Sequence, residues 1–320
     1  EDQGDKNKMV VPLGAVVTAA VSAAVAPSGK TVTLNNGVVM PSINLGTCCG
    51  SQANVGLKPW LEAGATGIDT AWDYSDPMTG LTSEEDIAKV LAGPGMPPRS
   101  SLFVTTKIPA GFGNATDCYD PEALPGIAMA YMEDNLRRLN MKQVDLALVH
   151  NTCAHSRYPT KAGWQASNQA LWKGMQMALA AGLTKSIGVS NFAASDLEAL
   201  DFNGNTPAVD QCHMSVQSHD DTTIAYCQQH GIFYESYGTL KGCPTEDADV
   251  KAIAASHSVS TYQVCLRWVL DRGCIMAAGT GSNASTVGPY AAENLAIYNF
   301  TLTAAEMAKL NGKGARGVSL

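Results

Sequence analysis

Short apolar segments that each end on one ionisable residue are the feature of this chain that most restricts its fold. Three of them lie at residues 68–74, 104–107 and 144–150. They carry Asp69 with Tyr74, then Lys107, then His150, at intervals of about 40 residues, which is room for a strand, a helix and two loops. Because successive βα units place the ends of their strands on one rim, we expect these four side chains to lie close together.

Strand-like segments recur along the rest of the chain and alternate with helical ones. One helical stripe runs from Leu124 to Leu139 and another from Leu171 to Leu179, both with apolar residues at three- and four-residue steps. The eight predicted strands are residues 43–46, 67–70, 102–107, 144–150, 186–191, 208–212, 232–237 and 274–279. Eight such repeats predict an α/β fold of the (β/α)8 TIM barrel type.

Two further features complete the predicted architecture. Residues 31–40 alternate around an Asn35-Asn36-Gly37 turn, which predicts a β-hairpin that plugs one end of the barrel. The chain has 320 residues, 45% of them hydrophobic, which is enough for one large domain that we place at residues 31–320.

The formal net charge of -8 and the lack of clustered Lys and Arg argue against nucleic acid as a partner.

The nine cysteines show no CxxC pair, so they indicate neither a zinc site nor a redox motif, and we expect no bound metal. Their odd number and irregular spacing predict a reducing compartment. Cys212, Cys265 and Cys274 lie in apolar segments, where we interpret them as small core residues.

Residues 1–30 form an amino-terminal extension whose apolar centre, residues 9–27, carries no charge. As a helix this segment would be roughly 28 Å long, close to the roughly 30 Å hydrocarbon core of a bilayer. A membrane anchor, an uncleaved leader and a segment folded against the domain remain as alternatives. The anchor predicts association with an organelle membrane or a membrane-protein complex, and the cytoplasm is the alternative location.

Six short motifs, in one order, give the chain a resemblance to the aldo-keto reductases over roughly residues 31–312. They lie at residues 69–74, 105–107, 145–150, 188–192, 207–211 and 293–295. Each motif is short, but all six in the family's order are not expected by chance. The resemblance implies a TIM barrel that reduces carbonyl compounds with a nicotinamide cofactor.

The four strand-end residues suit the reduction of a carbonyl group by hydride. The forming alkoxide must be protonated, and Tyr74 is a poor acid unless a cation lies beside it, because the ordinary pKa of a phenol is near 10. Lys107 is that cation, Asp69 pairs with it, and His150 hydrogen-bonds the carbonyl oxygen. The family resemblance implies the same roles. The remaining histidines lack this context, and we interpret them as surface or loop residues: His155, His213, His219, His230 and His257.

The resemblance also implies a site for the nicotinamide. In the family pattern Ser190, Asn191 and Gln211 hold the carboxamide, while an aromatic ring, here Tyr237, stacks on the nicotinamide face. This arrangement would turn one face of the ring toward the substrate.

The adenosine end of the cofactor site departs from the family pattern. Relatives commonly hold the 2'-phosphate of NADPH with a Lys-Ser pair and an Arg, yet this chain has no Lys or Arg between Arg272 and Lys309, and Tyr290 lies near where the Arg would fall. Backbone amides, hydroxyls and one lysine can replace that cluster. The residues we assign to this end are Leu240, Lys241, Gly279, Thr280, Ser282, Glu293 and Asn294. We predict NADPH as the cofactor, with NADH as the alternative.

The substrate pocket is expected to contain Cys48, Cys49, Trp72 and Phe112. The two cysteines replace an aromatic residue that is frequent in relatives after the first barrel strand. Only eight residues follow Gly312, so we do not expect the long carboxyl-terminal loop that closes the pocket in many relatives. The prediction is an open pocket that accepts a broad range of aldehydes.

Two functions therefore remain under consideration. The first is NAD(P)H-dependent reduction of small aldehydes or ketones to alcohols, with the proton supplied by Tyr74. The second is a nucleotide-binding barrel with little turnover that serves as a structural or regulatory subunit of a membrane complex.

Overall fold

The computed structural model describes residues 30–111 and 116–316. The predicted membrane segment at residues 9–27 lies outside the described residues, as does Phe112. Within the part of the chain that is described, no helix has both the length and the apolar composition needed to cross a bilayer.

A β-hairpin covers the amino-terminal end of the barrel, as predicted. Strand β1 (Thr31–Thr33) pairs antiparallel with β2 (Val39–Pro41). Gly37 adopts a φ of 86° in the turn between them, a conformation that glycine reaches without steric cost. Leu34 and Met40 are buried and pack against the first residues of several barrel strands, so the hairpin closes this end of the barrel.

Eight parallel strands form the closed barrel, which confirms the predicted TIM barrel. The remaining strands, in chain order, are β3 (Ile43–Gly46), β4 (Gly67–Asp69), β5 (Phe103–Ile108), β6 (Leu146–Val149), β7 (Ile187–Ser190), β8 (Val209–His213), β9 (Ser218–His219), β10 (Phe233–Tyr237), β11 (Ile275–Ala278) and β12 (Ala315–Arg316). Strands β3 to β8 are neighbours in order, β8 pairs with β10, and β11 closes the barrel onto β3. The two short strands β9 and β12 pair outside it.

A helix follows each barrel strand and packs on the outside of the barrel. The helices are α1 (Ala53–Glu62), α2 (Ser83–Leu91), α3 (Leu124–Leu139), α4 (Trp164–Ala180), α5 (Ala194–Glu198), α6 (Asp221–Gln229), α7 (Ala248–His257), α8 (Thr261–Asp271), α9 (Val287–Leu295) and α10 (Ala304–Asn311). Trp60, Trp172 and Trp268 are fully buried in the layer between helices and strands. Truncating one of them to alanine would lower the free energy of unfolding by about 3 to 5 kcal/mol.

The loop between β4 and α2 is held at both of its ends, and it carries Tyr74. At the start of α2, the Thr82 hydroxyl accepts a hydrogen bond from the Glu85 amide, and Glu85 accepts one from the Thr82 amide in return. Ser75 forms a β-bridge with Thr82, and the Ser83 amide donates to the Tyr74 carbonyl oxygen at 3.0 Å. These bonds fix the backbone of Tyr74 relative to the barrel.

Six of the nine cysteines are bonded in disulfides, which are typical of proteins in oxidising surroundings, whereas the sequence predicted a reducing compartment. Cys265 is buried as expected, but it is bonded to Cys243 and is not a free core thiol. The spacing did not predict these pairs, because the fold brings the partners of two of the bonds together, while Cys48 and Cys49 are adjacent in the sequence. The three bonds are Cys48–Cys49, Cys118–Cys153 and Cys243–Cys265, and the free, buried thiols are Cys212, Cys227 and Cys274.

Candidate active site

A cavity of about 510 Å³ opens at the carboxyl end of the barrel, a volume typical of small-molecule and cofactor sites. Its walls are the ends of the strands and the loops that follow them. Twelve of the residues predicted from the sequence line it: Cys48, Cys49, Asp69, Tyr74, His150, Ser190, Asn191, Gln211, Tyr237, Leu240, Lys241 and Gly279.

Lys107 is fully buried behind Tyr74, and its ammonium group joins the neighbouring side chains. Nζ lies 2.8 and 3.0 Å from the two carboxylate oxygens of Asp69 and 2.9 Å from the carbonyl oxygen of Thr70. It also lies 3.3 Å from the Tyr74 hydroxyl oxygen. The fold therefore brings Asp69, Lys107 and Tyr74 into one continuous set of hydrogen bonds.

Opposing electrostatic effects act on Lys107 and on Tyr74. Burial is the largest single effect and lowers the pKa of Lys107, but Asp69, Tyr74 and Glu235 together raise it by more, so the ammonium stays charged. For Tyr74, burial is the largest effect and raises the pKa to about 12, and the Lys107 charge opposes it only in part. Tyr74 therefore keeps its proton at neutral pH, and the cation limits a rise in pKa that burial would otherwise make larger.

His150 lies on the other side of Tyr74 and is oriented by a residue that the sequence analysis missed. Its Nε2 lies 3.5 Å from the Tyr74 hydroxyl oxygen, and the two rings meet edge to face. Its Nδ1 lies 2.8 Å from Oδ1 of Asp73. Burial is the largest single effect and raises the pKa of Asp73, but the hydrogen bond and charge of His150, a backbone hydrogen bond and the charge of Lys107 together lower it by more, so Asp73 is an anion that accepts a hydrogen bond from Nδ1.

A second group of polar side chains borders the cavity beyond His150. Asn191 has a φ of 59°, which Asn tolerates better than most residues, and its amide nitrogen donates to the His150 carbonyl oxygen at 2.9 Å. The Tyr237 hydroxyl donates to Asn191 Oδ1 at 2.7 Å, and the Ser190 hydroxyl donates to the Gln211 carbonyl oxygen at 2.7 Å. Asn191 thus joins the ring of Tyr237 to the backbone of His150.

Comparison with known proteins gives the family of this chain. The model of the Aldo/keto reductase family matches residues 44–315. The chain belongs to the aldo/keto reductase family.

Relatives of this aldo/keto reductase come from a bacterium, a yeast and an insect. An aldo-keto reductase of Mycolicibacterium vanbaalenii is 33% identical over 289 residues, which cover 88% of this chain and 91% of that one. The NAD/NADP-dependent indole-3-acetaldehyde reductase of Schizosaccharomyces pombe is 30% identical over 271 residues, which cover 81% and 83%. The crystal structure of a Bombyx mori aldo-keto reductase in complex with NADP superposes with a TM-score of 0.71 at 26% identity, covering 89% of this chain and 92% of that one.

In this aldo/keto reductase, Trp72 does not line the cavity, contrary to the prediction. Its indole nitrogen donates to Asp134 Oδ2 at 2.8 Å, and the Arg138 guanidinium lies over its ring at 4.3 Å, so the side chain packs against α3. His213, by contrast, lines the cavity although the sequence analysis interpreted it as a surface or loop residue. It ends β8, and its ring meets the ring of Tyr237 edge to face. His219 was interpreted in the same way and is buried.

Four residues assigned to the adenosine end lie around the cavity and do not line it. Thr280 is buried, and its amide donates to the Ser51 hydroxyl at 3.2 Å. Asn294 donates to the Gly279 carbonyl oxygen at 3.3 Å, and Glu293 accepts a short hydrogen bond from the Ser260 hydroxyl. The first two contacts hold the loop that begins at Gly279, and the third joins α9 to the start of α8. The fourth residue is Ser282, which is exposed.

Cationic side chains are scarce at this end of the cavity. Among the described residues that line it, Lys241 is the one Lys or Arg. In the loop after β11, Asn283 Oδ1 accepts hydrogen bonds from the amide and the hydroxyl of Ser285, and Tyr290 is largely exposed. The loop therefore offers hydroxyls and backbone amides to a phosphate, but no guanidinium or ammonium.

Proposed function

We propose that this aldo/keto reductase reduces small aldehydes or ketones to alcohols with a nicotinamide cofactor. The observation that carries the proposal is the continuous contact of Asp69, Lys107, Tyr74 and His150 at the cavity, in which a charged ammonium lies 3.3 Å from a protonated phenol. Membership of the family and the names of the relatives support the same reaction.

Each of the four side chains has a role in that reaction. When bound, a reduced nicotinamide would supply the hydride. Tyr74 donates the proton to the carbonyl oxygen, and the Lys107 ammonium offsets the negative charge that the phenol then carries. Asp69 keeps Lys107 charged and in place. His150 Nε2 lies 3.5 Å from the Tyr74 hydroxyl, so with hydrogens on both ring nitrogens His150 can donate to Asp73 from Nδ1 and to the same carbonyl oxygen from Nε2.

Asp73 acts through His150 as a positioning residue. Its carboxylate holds the proton on Nδ1 of the ring, so the Nε2 edge of the ring faces Tyr74 and the cavity. A carboxylate partner that fixes the orientation of a histidine ring is a common arrangement in enzyme sites.

The residues at the cavity fit a nicotinamide cofactor. Ser190, Asn191 and Gln211 provide amide and hydroxyl groups suited to a carboxamide, and Tyr237 provides an aromatic face next to them. Lys241 is available to the diphosphate. We infer NADPH as the cofactor, supported by a relative solved with NADP, and NADH as the alternative, because the loop after β11 lacks a cation and one relative is named as using both.

The decisive experiment is an assay of the purified full chain with NADPH and with NADH against a series of small aldehydes and ketones. We expect one alcohol to form for each nucleotide oxidised, with aldehydes reduced faster than ketones. Oxidation of neither nucleotide with any carbonyl compound would contradict the proposal. Nucleotide binding without turnover would favour the alternative of a structural or regulatory subunit.

A further inference from the structure

Gln211 lies at the cavity with both hydrogens of its amide group already engaged. Its Nε2 donates to Asp69 Oδ2 at 2.8 Å and to Glu235 Oε2 at 2.9 Å. The reverse orientation of the amide would set its oxygen against two carboxylates, so the observed orientation is the stable one. The amide oxygen of Gln211 is therefore the polar atom left for a ligand in the cavity.

Glu235 has its own fixed position inside the barrel. It lies on β10 without any exposed surface, and its second oxygen, Oε1, accepts a hydrogen bond from Asn44 Nδ2 at 2.9 Å. Asn44 is buried against Gly67, where a Cβ atom would collide with the Asn44 amide oxygen. The Glu235 carboxylate is thus held between Asn44 on one side and Gln211 on the other.

This carboxylate is costly to keep charged. Burial and, to a smaller extent, the charge of Asp69 raise the pKa of Glu235 to about 7, against the opposing effects of Lys107 and the hydrogen bonds from Gln211 and Asn44. Functional sites are where buried ionisable residues with shifted pKa values tend to occur. Glu235 is such a residue and lies beside a ligand cavity. The catalytic steps described above make no use of it.

We propose that Glu235 is a positioning residue that holds the Gln211 amide with its oxygen toward the cavity, where it accepts a hydrogen bond from the primary amide of the nicotinamide. Glu235 thereby helps to set which face of the nicotinamide ring meets the substrate. The inference rests on the proposed function, because it needs a nicotinamide in the cavity.

The test compares Glu235→Leu with Glu235→Gln. Leucine fills the space without an acceptor, and burying an apolar group in place of a buried charge is often tolerated by the fold. Glutamine keeps an oxygen for Gln211 and can give its amide to Asn44 Oδ1, a buried acceptor without a partner among the described residues. Glu235→Gln is therefore the variant expected to preserve the orientation of Gln211.

We expect Glu235→Leu to raise the KM for the nucleotide roughly 10-fold, the loss expected for one hydrogen bond to a charged group. The KM for the carbonyl compound should change little. With two cofactor samples, each carrying deuterium on a different face of nicotinamide C4, the wild type should transfer label from one sample alone, and Glu235→Leu should transfer it from both. Glu235→Gln should stay within about threefold of the wild type and keep the facial selectivity.

Asp210→Asn is the matched control. Asp210 is also buried and precedes Gln211 on β8, but it contacts the thiols of Cys212 and Cys227. The variant should leave nucleotide KM and facial selectivity unchanged.

Two results distinguish a failure of the role of Glu235 from a failure of the proposed function. A folded Glu235→Leu with unchanged nucleotide KM and selectivity would overturn the role of Glu235 while leaving the proposed function intact. A wild type that neither binds nor oxidises nucleotide would instead overturn the proposed function.

If Glu235→Leu does not fold, Asn44→Ala provides the test, because it removes the hydrogen bond on the other oxygen of Glu235. Nucleotide KM should rise about threefold, and no change would count against the proposal.

Discussion

The two ends of the cavity differ in how charge is placed around them. At the reactive end, Lys107 is buried and bonded to Asp69 and Tyr74 at 2.8 to 3.3 Å. At the adenosine end, hydroxyls and backbone amides after Gly279 surround the cavity, and Lys241 is the one cation among the described lining residues. A buried charge that loses its partner is strongly destabilising, whereas a solvated phosphate site can gain or lose a cation at small cost. Substitutions at the reactive end should therefore strongly lower activity or stability. Substitutions at the adenosine end should readily change the preference between NADPH and NADH.

Among the substitutions that compare the two ends of the cavity, the largest effect should follow from Lys107→Met. Without the ammonium, nothing offsets the charge on Tyr74 after proton transfer, and kcat should fall roughly 10³-fold. The affinity for nucleotide, measured by fluorescence titration, should change by less than about threefold, since Lys107 does not line the cavity.

The same substitution leaves Asp69 buried without its partner, so the free energy of unfolding should also fall, by about 3 to 5 kcal/mol. The double variant Lys107→Met with Asp69→Asn separates the two effects. It should recover much of the stability and none of the activity. Recovery of activity along with stability would mean that Lys107 has a structural role alone.

A smaller effect at the reactive end is expected from Asp73→Asn. An amide can still accept from His150 Nδ1, but without the charge it holds the ring less firmly, so kcat should fall roughly 10-fold with little change in nucleotide affinity. Glu133→Gln, which removes the same charge from an exposed position on α3, is the control and should have no effect. Equal activity of both variants would remove Asp73 from the mechanism.

The smallest effect concerns the adenosine end and is a gain of function. Ser282→Lys adds a cation to the exposed loop after β11, so the Kd for NADPH should fall about 5- to 10-fold at low salt, while that for NADH should stay constant. Ser100→Lys adds the same charge before β5, at the opposite end of the barrel, and should change neither Kd. An equal fall in the Kd for both nucleotides would mean that the new lysine contacts the diphosphate, which NADPH and NADH share.

The barrel and the meeting of Asp69, Tyr74, Lys107 and His150 could be predicted because strand order alone brings strand ends to one rim. Contacts that depend on the direction of side chains could not. Asp73 and His150 are 77 positions apart, and Trp72 turned to an acceptor on α3.

Other features depend on quantities that only the fold determines. The rise in the pKa of Tyr74 follows from the depth of its burial, which the residue order does not give. The disulfide between Cys118 and Cys153 joins loops that follow two neighbouring strands, β5 and β6. Gln211 and Asp69, 142 positions apart, meet because the barrel closes.

The proposed reaction depends on the phenol of Tyr74, next to the Lys107 ammonium, as the source of the proton. The most direct measurement is carbonyl reduction and nucleotide Kd in Tyr74→Phe, which removes one oxygen atom. We predict that turnover falls roughly 10²- to 10⁴-fold while the Kd stays within about twofold of the wild type. Turnover by Tyr74→Phe at the wild-type rate would contradict the account.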